Sequence, residues 1–423
     1  MTSPRRRTLL TAGLTGTAAV VAVPSALASS SGRISPVVNQ SPAPAGPLTP
    51  HQERERVLAA VRALLTYFRA ENDPDMLIER YPRQEDDPEF SYVWPLGQGA
   101  AGITEARAAI EGPGPQIDTG DLDLAAAEAA MERVHEHYWY PEGGTTGLPG
   151  YTAATNSEQG AHGDFFYDDN DWIALLEIEK HLLSGGAMGD LDRVGELLEL
   201  FRSGEATDPD LASPGGIFWT QGDWNEDRNT VTVFPSAKVA LRWHQLTGEE
   251  QALGDALRWM AWGRDTLLAP NGLFWDNIKP DGNIDRTHWT YNQGVPLGTE
   301  VLAYEITGEK THRQNALDLV EAIIAFYKPF EEGGPLDDQP IQFNAILMSN
   351  LLYAESVLGG RAQGKKIVDA YAERLWANRR DPETNLVIKS RETDIGTHLL
   401  DQGGFTRALA LAAMPRPLWQ HLS

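Results

Sequence analysis

The sharpest chemical feature of the chain is the run Phe165-Phe166-Tyr167-Asp168-Asp169-Asn170-Asp171-Trp172, which opens an amphipathic stretch through Ile173–Lys180. Cleaving a glycosidic bond takes two carboxyls: one protonates the leaving oxygen, and the other attacks the anomeric carbon or activates water. Where configuration is retained, the two groups stand about 5 Å apart. Neighbouring residues at a helix start reach that spacing if one side chain turns back over the terminus. Backbone N–H groups there favour a carboxylate, and a second carboxylate close by ionises less readily. One aspartate then stays an anionic nucleophile while the other carries the proton. Helix capping is the competing explanation, because Asp and Asn favour N-caps and acidic first turns are routine. For this run read in isolation, capping comes first.

Other side chains could serve a sugar. Flat amphipathic rings suit the apolar faces of sugars, and the chain holds 12 Trp and 12 Tyr. Trp219, Trp224 and Trp275 lie in connecting segments and read as stacking residues, whereas Trp139 reads as core. Asp223, Asp276 and Asn277 are hydroxyl ligands or turn formers. Metal and cofactor motifs fail on inspection. His135 and His137 stand two apart in a helical stretch and do not share a face. Asn277–Asp285 resembles a calcium loop only until His288, which replaces the bidentate Glu. Gly359–Lys366 nearly matches a phosphate loop, but Lys366 replaces the required Ser or Thr and no strand precedes it. No metal and no cofactor is expected.

Such residues need a frame, and the apolar spacing supplies one. Val57, Val61, Leu64, Leu65 and Phe68 recur at helical intervals. Comparable stretches follow near 100–112, 122–138, 169–184, 188–203, 230–247, 250–268, 292–307, 311–327, 341–358, 364–379 and 401–413. Trp243-His244-Gln245-Leu246-Thr247-Gly248-Glu249 is echoed sixty residues on by Ala303-Tyr304-Glu305-Ile306-Thr307-Gly308-Glu309. Each is a helix end, a glycine suited to a left-handed C-cap, and an immediate restart. Val357-Leu358-Gly359-Gly360 is a looser third copy. Twelve helices in six hairpins predict an all-α (α/α)6 barrel with an open cleft at one end. Gly216–Trp219 and Gly272–Trp275 read as ribbons at the cleft mouth. An α-solenoid interaction protein is the rival, and the Trp-bearing loops argue against it.

The chain has 423 residues, a net charge of -25 and no cysteine. That acidity excludes the basic stripe that nucleic-acid binding needs and disfavours anionic membranes, so a neutral partner such as a polysaccharide or oligosaccharide fits best. Without cysteine there is no disulfide, thiolate site or lipid-anchored thiol. Arg5-Arg6-Arg7 precede an apolar, small-residue run ending at Ala26-Leu27-Ala28, which reads as a twin-arginine-type export signal over residues 1–28. Residues 29–50 read as a Ser- and Pro-rich flexible leader, and 51–423 as the barrel domain. The expected product is a secreted or cell-surface monomer with no membrane span in the mature chain.

Taken together the blocks resemble glycoside hydrolase family 76, whose known members are (α/α)6 endo-α-1,6-mannanases. Its signature stands here as Tyr167-Asp168-Asp169-Asn170-Asp171-Trp172. A second block is Arg228-Asn229-Thr230-Val231-Thr232, and a third is Trp289-Thr290-Tyr291-Asn292-Gln293-Gly294-Val295. Ala372–Arg379 followed by Asp401-Gln402-Gly403 is also similar. The resemblance runs from about 90 to 413. It implies that Asp168 is the nucleophile and Asp169 the acid/base of a retaining reaction on α-1,6-mannan. It also implies that Tyr167, Asn170, Trp219, Trp224, Asn229, Trp275, Asp276, Tyr291, Asn292 and Gln293 bind the sugar. Two positions depart from the pattern: Asp171 stands where the family usually has a small residue, and Val233 where a second asparagine is common. Two other classes stay open, a sugar 2-epimerase built on loop histidines (His162, His288, His398) and a glycan-binding protein without turnover.

Overall fold

The computed structural model describes residues 48–155, 164–388 and 395–423. The export signal, nearly all of the leader and His162 lie outside the described residues. Twelve α-helices form among those described: α1 (Pro50–Tyr67), α2 (Val93–Glu111), α3 (Leu124–Glu136), α4 (Tyr167–Leu183), α5 (Leu191–Ser203), α6 (Thr230–Thr247), α7 (Glu250–Leu267), α8 (Tyr291–Thr307), α9 (Lys310–Tyr327), α10 (Ile341–Leu358), α11 (Gly364–Asn378) and α12 (Leu399–Ala413). Each even-numbered helix packs on the next, and α12 packs back on α2, so six inner helices close a ring. The odd-numbered helices pack outside them. This is the expected (α/α)6 barrel.

Burial explains which helix goes where. α6 is buried continuously from Thr230 to Arg242, and α10 is buried over nearly its whole length. A helix apolar on all sides can be satisfied only inside. α5 buries a single stripe, Val194, Leu197, Leu198, Leu200 and Phe201, which suits the outer ring. Gly248 (φ 78°) and Gly308 (φ 72°) adopt the expected left-handed C-caps. At the looser third copy, Gly359 has φ 74° and ψ -166°, and a 3₁₀ turn, Gly359–Arg361, precedes α11.

One helix begins earlier than its pattern suggested: α2 starts at Val93, not near 100. Gly97, Gly99 and Gly102 weaken the helical signal, yet Gly99 and Gly102 lie against α12. A methyl at Gly403 would lie 2.9 Å from the backbone of Gln98 and Gly99. Arg407 of α12 then fills the seam, its Nη2 2.7 Å from Glu105 and its Nη1 2.7 Å from Gln98 Oε1, both on α2.

Every inner helix is preceded by an outer one running the opposite way, so all six inner helices start at the same end. Short strands tie the loops there: β1 (Arg80–Tyr81) with β7 (Thr397–His398), β2 (Trp139–Tyr140) with β3 (Gly150–Tyr151), and β4 (Arg228–Asn229), β5 (Asn277–Ile278) and β6 (Ile284–Asp285) in one three-stranded ribbon. At the other end a 3₁₀ turn, Arg416–His421, packs on α4 and α10 with Trp419 buried. No helix among the described residues is long and apolar enough to cross a membrane.

Candidate active site

Phe166 is the extended N-cap of α4, and no side chain caps that end. A bridge between Phe166 and Thr220 fixes where the helix begins. Asp168 and Asp169 therefore occupy the first turn rather than the cap, with their backbone N–H groups free to serve a carboxylate. Asp168 lies beside them: the N–H groups of Asp168 and Asp169 and the Trp219 side chain all favour its charged form. Burial still dominates, and with the nearby Asp276 carboxylate it pushes Asp168 up to about 7. Among the described residues Asp169 has no comparable donors. Burial, followed by the charge of Asp168, holds it well above the usual carboxylate range. Both keep part of their surface open at the bottom of the cleft.

The opposite wall comes from the β4–β5–β6 ribbon and α8. Asp276 accepts from Asn292 Nδ2 at 2.9 Å and from Asn277 Nδ2 at 3.0 Å, while burial raises it to about 6. Asn229 stands opposite Asn277 in the β4–β5 register, which places their side chains on one face. With two donors committed to Asp276, the amide oxygens are left over. Asn229 Oδ1, Asn277 Oδ1, Asn292 Oδ1 and Asp168 Oδ1 are buried acceptors with no partner among the described residues. A native interior tolerates few such atoms, and a ligand rich in hydroxyl donors would complete them.

Rings flank these acceptors. Trp219 packs on Phe166 at 5.0 Å and on Trp224 at 5.9 Å. Trp224 is 57% exposed, and its indole N–H donates to Asp164. On the far side Tyr291 stacks on Phe343, with centroids 3.8 Å apart and planes 4° from parallel; Trp289 meets Phe343 edge-on at 5.6 Å. Tyr291 feels the charges of both Asp276 and Asp168. Trp275 is half-buried next to Asp276, with the Arg286 guanidinium 5.4 Å from its ring.

The structure thus brings Asp168, Asp169, Trp219, Trp224, Asn229, Trp275, Asp276, Tyr291 and Asn292 around one cleft. Three expected sugar-binding residues lie elsewhere. Tyr167 is 3% exposed, hydrogen-bonded to Ser203 and Gln221 and packed against Gly204. Asn170 is fully buried. It accepts from Tyr151 N at 2.7 Å and donates to Tyr151 O and Phe166 O. Gln293 does the same for the next loop, accepting from Phe274 N at 2.7 Å and donating to Phe274 O and Trp289 O. These residues position the cleft and do not line it. Asp223 is exposed in a turn. Phe343 was missed because an apolar residue early in a buried helix reads as core. Asp171 reaches neither the cap nor the cleft surface: it is fully buried against Ser236.

Comparison with known proteins gives sequence relatives and similar folds. A mannan endo-1,6-alpha-mannosidase, DCW1, of Candida glabrata is 30% identical over 112 residues, covering 23% of this chain and 25% of that protein. Its namesake in Saccharomyces cerevisiae is 26% identical over 122 residues, covering 27% of each. The chain thus spans about a quarter of the length of the curated relatives it matches. The family 76 mannosidase Bt3792 from Bacteroides thetaiotaomicron superimposes with a TM-score of 0.71 at 18% identity, over 86% of this chain and 98% of that one. An inactive variant of the α-1,6-mannanase GH76A of Salegentibacter sp. HEL1_6, with two consecutive aspartates replaced and α-1,6-mannotriose bound, gives 0.63 at 18% identity over 85% and 99%. At these identities the structures establish a shared fold. The family model for Glycosyl hydrolase family 76 matches residues 151–402, more than half of the chain, and the chain belongs to that family.

Proposed function

We propose that this protein cleaves internal α-1,6-mannosidic bonds of a mannan-type polysaccharide with retention, using Asp168 as nucleophile and Asp169 as acid/base. The observation that carries this reading is the unequal environment of two consecutive buried carboxyls. Neighbouring N–H groups of Asp168, Asp169 and Trp219 favour the Asp168 anion, and burial and a neighbouring charge favour the protonated form of Asp169. In the first step Asp168 attacks the anomeric carbon while Asp169 gives its proton to the leaving oxygen. In the second, Asp169 takes a proton from water, which displaces Asp168. Asn229, Asn277, Asn292 and Asp276 supply acceptors for hydroxyls of the sugar undergoing attack, and the rings of Trp219, Trp224, Trp275 and Tyr291 supply faces for it and its neighbours. The substrate follows from the relatives: the similar yeast proteins are named as mannan endo-1,6-alpha-mannosidases, and the mannotriose complex has two consecutive aspartates replaced. The signal read at Arg5–Ala28 sends the enzyme out to meet such a polymer. An epimerase reading gains no support, since His288 spends both ring nitrogens on Phe274 O and Asn271 Nδ2.

The test is digestion of unbranched α-1,6-mannan by protein lacking residues 1–28. A ladder of oligosaccharides whose newly formed reducing ends first appear as the α-anomer is expected. Release of mannose alone would replace endo with exo action, and β-anomers would overturn retention. No product from a protein with an intact helical spectrum would overturn the substrate.

A further inference from the structure

Asp171 lies one turn below Asp168 on α4, on the same face, and it is fully buried. Both its carboxyl oxygens contact one hydroxyl, Ser236 Oγ of α6, at 2.8 and 3.0 Å. A hydroxyl has a single proton to give, so an ionised Asp171 would leave acceptor capacity unmet. Among the described residues, the elements packed on α4 bring no counter-ion. On α2, Glu105 is paired with Arg407. On α6, Lys238 donates to Asn350, and Arg242 to Gln245 and the Leu422 carbonyl. On α5, Arg193 donates to Tyr151 of β3, and Arg202 to Asp255. His421 of the C-terminal 3₁₀ turn lies beside Arg242. The charge that does act on Asp171 is another carboxylate, Asp168. An unpaired buried charge of this kind resolves by taking up a proton.

We propose that Asp171 is a proton-bearing positioning residue: a neutral carboxylic acid that crosslinks α4 to α6 through Ser236. It sets the height of the Asp168–Asp169 pair against Asn229 and Asp276, and adds no third negative charge beneath that pair. This rests on the reading of Asp168 and Asp169 above. Protonated Asp171 donates to Ser236, whose own proton turns to the second oxygen or to a neighbouring carbonyl.

The protonation state is tested without turnover, by melting temperature against pH for the parent and Asp171→Asn. A carboxyl whose folded pKa lies above its unfolded value, about 3.9, contributes stability that is full below that value and declines as pH rises toward the folded pKa. The asparagine has no such decline, so the variant's melting temperature relative to the parent's climbs as pH rises from about 4 to 7. A flat difference, or a falling one, would show an ionised Asp171 and overturn the proposal. The positioning role is tested on mannan. Asp171→Ala and Ser236→Ala each lower kcat by about 10- to 100-fold with a smaller change in KM, and Asp171→Asn recovers most of that loss. Full kcat in a folded Asp171→Ala protein would overturn positioning. If the parent cuts no mannan, the function assigned above fails, while the melting experiment still decides the state of Asp171.

Discussion

As the proposed nucleophile, Asp168 must be ionised to attack, and neighbouring N–H groups oppose the burial that would keep it protonated. Asp168 is pushed up to about 7, so kcat/KM falls as pH drops through that region, with apparent values belonging to the Asp168–Asp169 pair. Asp276 is one source of the rise. Removing its charge lets Asp168 ionise at lower pH, so Asp276→Asn moves the acid limb of the kcat/KM profile downward while raising KM; an unmoved limb would remove Asp276 from that electrostatic role. The aspartate pair was legible in the sequence because two carboxyls followed by a helix is a local pattern. The part played by Trp219 was only half legible: its ring reads as a stacking surface, but its bond to Asp168 depends on a ribbon more than fifty residues away.

At the scale of elements, the first turns of four inner helices, α4, α8, α10 and α12, share a device. A buried amide grips the backbone of the preceding loop: Asn170 holds Tyr151, Gln293 holds Phe274, Gln402 accepts from Val387 N, and Asn344 donates to Leu336 O. On α6, Val233 occupies the corresponding position, buried and apolar. Thr230 takes over there, its N–H donating to Asp276 O and its hydroxyl to Trp275 O. Asn170→Leu orphans a buried N–H and C=O of Tyr151 and should cost about 2–4 kcal/mol, read as a lower denaturation midpoint at unchanged slope. Asn170 and Gln293 were assigned to sugar in the sequence, because an amide beside the aspartate pair or another cleft block looks the same whether it faces ligand or loop. Only the register of the loop behind it distinguishes the two.

At the scale of the molecule, a ring must close, and the first and last inner helices meet at a buried ion pair. Arg407 and Glu105 are shielded from water, and Gln98 takes a further bond. Glu105→Ala leaves the guanidinium without its anion and should destabilise by about 3–5 kcal/mol. Glu105→Leu combined with Arg407→Met should recover much of that, and a double variant no better than the single would show that the pair itself holds the ring. The six hairpins were legible from helical periodicity and the repeated Thr-Gly-Glu ends. The tight α2–α12 seam was not, because glycines that permit close helix packing carry the same signal as glycines that break helices.

The central claim is that two consecutive aspartates cut α-1,6-mannan, and the most direct measurement is product release from the unbranched polymer by the parent beside Asp168→Asn and Asp169→Asn. Oligosaccharides are expected from the parent, essentially none from Asp168→Asn, and a loss of about 10²- to 10⁴-fold for Asp169→Asn. Undiminished release by both folded variants would contradict the claim and leave the aspartates as no more than the acidic first turn of a helix.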